Sequence, residues 1–60
     1  MDDDRKELAR RRRVVAEVAG RIHDLVEERV LTDYAALPAL AIELTSACDA
    51  YHAFRREKGL

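Results

Sequence analysis

Two helical periodicities meet at one interruption, Val30-Leu31-Thr32-Asp33, followed shortly by the chain's single proline, Pro38. Thr and Asp cap helices, and proline is accepted only in or near a first turn, because it lacks a backbone N–H and fixes φ. Before the interruption, Leu8, Val15, Val18, Ile22 and Leu25 follow at steps of seven, three, four and three. That spacing draws an apolar stripe along a helix, widened by Ala19 and Val26. After it, Leu37, Leu44 and Tyr51 take one core position of a seven-residue repeat, and Leu40, Ala47 and Phe54 the other. Ala41, Cys48 and Ala50 are small neighbours that let helices approach closely. The pattern predicts an all-α fold, an antiparallel two-helix hairpin. Helix 1 is expected over about 3–29, a turn over about 30–36 and helix 2 over about 37–57. The turn should be irregular or 3₁₀ around Asp33 to Ala36.

Smaller signals refine this outline. Asp2, Asp3 and Asp4 suit a helix start, where carboxylates cap free N–H groups, and Gly59 suits a helix end. Arg11 stands where the heptad of helix 1 lacks an apolar residue, which predicts a weakened seam and fraying in the first turns. Val30 and Leu31 are too apolar for a solvated loop and are expected to plug the open end of the bundle. Gly20 lies inside helix 1, where glycine costs about 1 kcal/mol relative to alanine. It is either tolerated or marks the close approach of a partner helix.

Sixty residues form a single unit, 1–60. A chain this short buries only about 60% of its unfolded surface. The one cysteine, Cys48, forbids an internal disulfide, and no CxxC or Cys/His cluster points to structural zinc. Self-association is therefore the expected support: pairing hairpins into a four-helix bundle, as a homo-oligomer (dimer or tetramer), covers the second face of each helix. The lone cysteine fits a reducing compartment. The start, MDDDRKEL, has no apolar core of a signal peptide, and no apolar run approaches the ~18 residues of a membrane span. A cytoplasmic location without membrane contact is expected.

Net charge is −1, but it is unevenly spread. Residues 5–21 hold seven basic and two acidic side chains, whereas residues 22–50 hold one basic and six acidic. In a hairpin the end with the termini is then basic and the bend acidic. The run Arg10-Arg11-Arg12-Arg13 is the most conspicuous polar feature. Consecutive helical residues point about 100° apart, so it forms a collar and not one face. These four arginines are the candidate partner-binding residues, either paired with Glu7, Glu17 and Glu57 or touching phosphates. Nucleic acid is not the expected partner, because no reader motif is present and only Tyr34, Tyr51 and Phe54 offer stacking surface.

His23 and Glu27 lie one turn apart, where they can share a face and offer two ligands to a divalent metal. A twofold axis would double that number. The plainer reading is a surface histidine hydrogen-bonded to a carboxylate. Cys48 and His52 are a second pair at the same spacing, with Cys48 also readable as a small core residue. Enzyme chemistry is not expected, because a two-helix hairpin offers no cleft and no Ser/His/Asp, Gly-rich loop or HExxH pattern occurs.

The segment IHDLVEERVLTDYAALPALA, with the later AYHAFR, resembles a family of small helical-hairpin proteins whose genes lie in bacterial nitrogen-fixation clusters. The matching residues are Ile22, His23, Asp24, Leu25 and Glu27 before the bend, then Ala41, Ala47, Ala50 and Tyr51. The turn ERVLTDY departs from the glycine or acidic residue plus Leu-Pro usual there, and the arginine run is no part of the pattern. The resemblance implies a self-associating antiparallel hairpin of Rop-like fold, similar to the plasmid RNA-binding hairpin dimers, with the histidine as its characteristic residue. It implies an accessory role in nitrogen fixation, binding a partner protein related to nitrogenase. The alternatives are a nucleic-acid-binding hairpin dimer using the arginine collar and, third, a small all-helical enzyme.

Overall fold

The computed structural model describes residues 2–60. Met1, which the expected unit 1–60 includes, lies outside them. The first helix, α1, spans Asp2–Glu28 and carries Asp2, Asp3 and Asp4 in its first turn, where their charge opposes the positive end of the helix dipole. A one-turn helix, α2, follows at Val30–Asp33, then a 3₁₀ turn at Tyr34–Ala36, then α3 over Leu37–Lys58. The two long helices run antiparallel as a hairpin of 45 × 15 × 10 Å between Cα extremes.

Two residues make the bend. Arg29 leaves the helical region at φ −136°, ψ 21°, and Asp33 does so at φ −114°, ψ 11°. The Arg29 N–H still bonds the Leu25 carbonyl of α1 at 2.8 Å, while the Arg29 carbonyl accepts from the Asp33 N–H at 2.8 Å and the Thr32 N–H at 3.2 Å and so opens α2. The Arg29 side chain closes the same turn on Asp33, Nε to Oδ2 at 3.0 Å. Pro38 sits in the first turn of α3, where its missing N–H has no helical partner to lose. Gly59, at φ 69°, ends α3 in the left-handed region. The Leu60 and Gly59 N–H groups return to the Arg55 and Arg56 carbonyls at 2.9 and 3.3 Å, the double bond of a Schellman end.

The core is a single seam. Val18 and Leu25 are the buried apolar residues, at 2% and 3% exposure. Leu8, Val15, Ile22, Leu40, Leu44 and Phe54 are only half-buried. Expectation and structure differ at the bend. Val30 and Leu31 do not plug the open end, since Leu31 is 90% exposed. The extra turn of α2 carries both residues out past the seam, which Leu25 already closes. Of the turn expected over about 30–36, Val30–Asp33 is thus helical, while the 3₁₀ turn expected around Asp33 to Ala36 forms at Tyr34–Ala36.

Candidate functional site

The four arginines have separate environments. Arg10 grips Glu7 with two bonds, Nε to Oε1 at 2.9 Å and Nη2 to Oε2 at 2.6 Å. Arg11 donates from Nε to the same carboxylate at 2.7 Å. Hydrogen bonds from Arg10 first and Arg11 second lower the Glu7 pKa to about 2. Arg11 also crosses the seam, donating from Nη1 to the Ala50 carbonyl at 2.9 Å and lying 4.6 Å above the Phe54 ring. The expected weak place in the first turns is therefore bridged, and α1 is helical from Asp2. Arg12 and Arg13 are exposed and have no carboxylate partner among the described residues. Glu17 and Glu57, expected to pair with the collar, form no ion pair among the described residues.

The hairpin has two unlike faces. On one, Arg21 reaches Glu43 across the seam, and Arg10, Arg11 and Val14 line a shallow depression with Ala47 and Ala50. Toward the bend on the same side, Arg21 and Leu25 line an open groove with Ala36, Ala39 and Leu40. The other face has no such strap. Leu8, Val15, Ala19, Ile22 and Val26 follow along α1 there at helical spacing, and Leu37, Ala41, Leu44, Cys48 and Tyr51 follow along α3. At its terminal end Arg5, Arg12 and Arg55 surround a depression floored by Leu8 and Tyr51.

His23 lies at the edge of this second face, and its side chain is 72% exposed. Its Nε2 stands 3.0 Å from Glu27 Oε2, and its Nδ1 stands 3.6 Å from Asp24 Oδ1. The i,i+4 pair expected from the sequence is thus brought together. No group of three or more His, Cys, Asp or Glu side chains that could hold a metal occurs among the described residues. One chain offers His23 and Glu27 as two ligands, short of the four that close a structural site. His52 packs edge-on against Tyr51, centroids 5.0 Å apart, and Cys48 is half-buried in the apolar stripe. The contacts that sequence reasoning missed are Arg11 to Ala50 and Phe54, and Arg21 to Glu43. The one available signal was Arg11 at a core heptad position, where a long side chain must either snorkel or bridge.

A hairpin of this length, joined by a short bend and closed by one leucine-rich seam, matches a family model described as Rop-like over residues 1–58. The chain belongs to the Rop-like family. No curated protein and no solved structure matches it. Membership accounts for the fold, and no helix of the described residues is long and apolar enough to cross a membrane.

Proposed function

We propose that this Rop-like hairpin is a cytoplasmic accessory protein of nitrogen fixation. It acts as an oligomer of hairpins, a four-helix bundle dimer or a higher assembly, that binds a nitrogenase-related partner protein. The observation that carries self-association is the unstrapped face. Among the described residues of one chain, Leu8, Val15, Ile22, Leu44, Cys48 and Tyr51 are left half-covered while only Val18 and Leu25 are buried. Full burial of a Leu, Ile or Val side chain is worth about 1.5–3 kcal/mol, so two such residues stabilise a fold poorly and a second layer adds what is missing. The resemblance of the IHDL segment and of the second-helix alanines to hairpins encoded in nitrogen-fixation clusters supports the biological setting. Arg10 to Arg13 would provide the charge for partner binding. Of these, Arg12 and Arg13 are the pair free to do so.

The same reading assigns a divalent metal, if one is taken up, to His23 with Glu27. A twofold axis would bring two such pairs together. Its affinity should be modest, because two ligands from each chain fall short of a closed four-ligand site. An NMR titration with nickel or zinc on wild type and His23→Ala tests it; shifts that survive the substitution, or that centre on Cys48 and His52, would count against it.

Sedimentation at micromolar concentration tests the assembly: at least a dimer is expected, and a folded monomer would refute it. Co-purification with nitrogenase components from nitrogen-fixing cells, lost on Arg12→Ala plus Arg13→Ala, tests the partner. The unpaired Arg12 and Arg13 favour one second reading, phosphate contact with nucleic acid. Binding to duplex RNA or DNA that falls steeply with salt and disappears with these two arginines would promote it. None is expected at physiological salt.

A further inference from the structure

The strapped face ends, toward the bend, in the open groove between α1 and α3. Leu25, Ala36, Ala39 and Leu40 make its floor, and it holds about 640 Å³ of open space, within the ~300–1,000 Å³ of sites that take an organic group. Ala36 and Ala39 are exposed and carry only a methyl group, so another backbone laid over them approaches closely. Arg21 and Arg29, which also line it, stand eight residues apart, or about 12 Å of helix. The groove is thus about two helical turns long. Its charges are unbalanced. Arg21 is neutralised by Glu43, and Arg29 by Asp33 at 3.0 Å with Glu28 a further 4.0 Å away. Asp24 lines the groove too, and its 63% exposed carboxylate has no arginine or lysine partner among the described residues. Four carboxylates, of Asp24, Glu28, Asp33 and Glu43, therefore stand against two guanidiniums. The groove lies on the strapped side, away from Leu8, Val15, Ile22 and Leu44, so pairing of hairpins through those residues leaves it open.

We infer that this groove is the docking site for a basic amphipathic helix of another protein. That helix seats two apolar residues one turn apart on the alanine floor and sets a lysine or arginine beside Asp24. Shape selects a helix: a straight apolar trough between two helices takes the apolar stripe of a third. An extended peptide needs a sheet edge with free N–H and C=O groups, and a hairpin of helices uses those groups within its own turns. Charge selects a basic one, because an acidic helix would bring more carboxylates to an end that already has an excess. The chain's own basic stretches do not fit. Around Leu8, the positions three and four residues away are Asp4, Arg5, Arg11 and Arg12, so no second apolar residue follows one turn on. Phe54, beside Arg55 and Arg56, already lies under Arg11. The inference needs neither self-association nor the Arg12 and Arg13 contact proposed above, and adds a second surface of opposite charge at the other end of the rod.

NMR shift mapping on the full chain tests it with three synthetic helical peptides. One is amphipathic and built of leucine, alanine and lysine. The second has the same composition with its leucines scattered around the helix, and the third is the first with glutamate in place of lysine. The first should bind with shifts at Arg21, Thr32, Ala36 and Ala39, and the other two at least about tenfold more weakly. Asp24→Lys and Ala39→Gln, which reverse the free charge and fill the floor, should each weaken the first peptide at least about tenfold. Asp49→Lys, the same charge change at an exposed residue outside the groove, and Arg12→Ala plus Arg13→Ala should bind it as wild type does, with circular dichroism confirming the helix content of every variant. Several results would overturn the inference: no saturable binding, equal binding of the scattered peptide, shifts centred on Val15, Ile22 and Leu44, or equal loss in Asp49→Lys and Asp24→Lys. Groove shifts that follow the concentration of the chain alone would put a second copy there and overturn it as well. Sedimentation of the same samples reads self-association separately, so either reading can fail while the other stands.

Discussion

A single side chain, Arg11, changes what the first turns of this hairpin can do. Its guanidinium satisfies Glu7, reaches the Ala50 carbonyl at 2.9 Å and covers the Phe54 ring. A charge-assisted bond across helices, from a side chain only 30% exposed, contributes more than a surface ion pair. Arg11→Ala is therefore expected to cost about 1 kcal/mol, read from urea unfolding, while Arg13→Ala, with no partner to lose, should cost nothing measurable. Glu7 carries the pH dependence of the same knot. Its carboxylate is held at about 2 in the folded chain, below the ordinary 4.5. A depressed folded value means the contribution is whole above about pH 4.5 and is lost as pH falls toward 2. Wild type should thus be more stable than Glu7→Gln at neutral pH, and the gap measured by thermal melts should close as pH falls through that window.

At the scale of the element, two glycines make opposite forecasts. A Cβ added at Gly20 would meet nothing within 4 Å, so the chain itself does not require glycine there. Gly20→Ala should raise helix stability by up to about 1 kcal/mol. A lowered melting temperature would instead show that another helix approaches this position closely. Gly59 at φ +69° holds the Schellman end, and Gly59→Ala should destabilise by about 1 kcal/mol for the cost of a side chain in the left-handed region. The bend is governed by competition between helix propagation and local bonding. The sequence break at Val30 to Asp33 marks where the chain turns. The residual apolar content there lets one more helical turn form before Asp33 departs from helical geometry, and that turn leaves Leu31 outside.

For the whole molecule, a rod in which Val18 and Leu25 are the buried apolar residues among those described has little reserve. Leu25→Ala removes half of the buried seam, and large-to-small changes at such sites cost about 2–5 kcal/mol. That is enough to unfold a 60-residue chain unless a second copy supplies burial. If folding and association are coupled as proposed, the melting temperature of wild type should rise with protein concentration. A melting temperature independent of concentration over two decades would argue for a self-sufficient hairpin.

Periodicity alone determined the helices, their antiparallel return and the apolar side of each, because steps of three, four and seven select one side of a helix whatever it packs against. The same spacing placed His23 beside Glu27, since both lie on one helix and the backbone does the positioning. The sequence could not assign roles within Arg10 to Arg13. Four identical residues in a row differ only in the direction each leaves the helix, and what lies in that direction belongs to the other helix. Only the tertiary structure, by setting Ala50 and Phe54 opposite Arg11 and leaving Arg12 at the edge of an open face, separated the arginines that hold the fold from those free for a partner. It also decided that Leu31 faces outward, because the fate of an apolar residue at a bend depends on whether a seam remains open for it to enter.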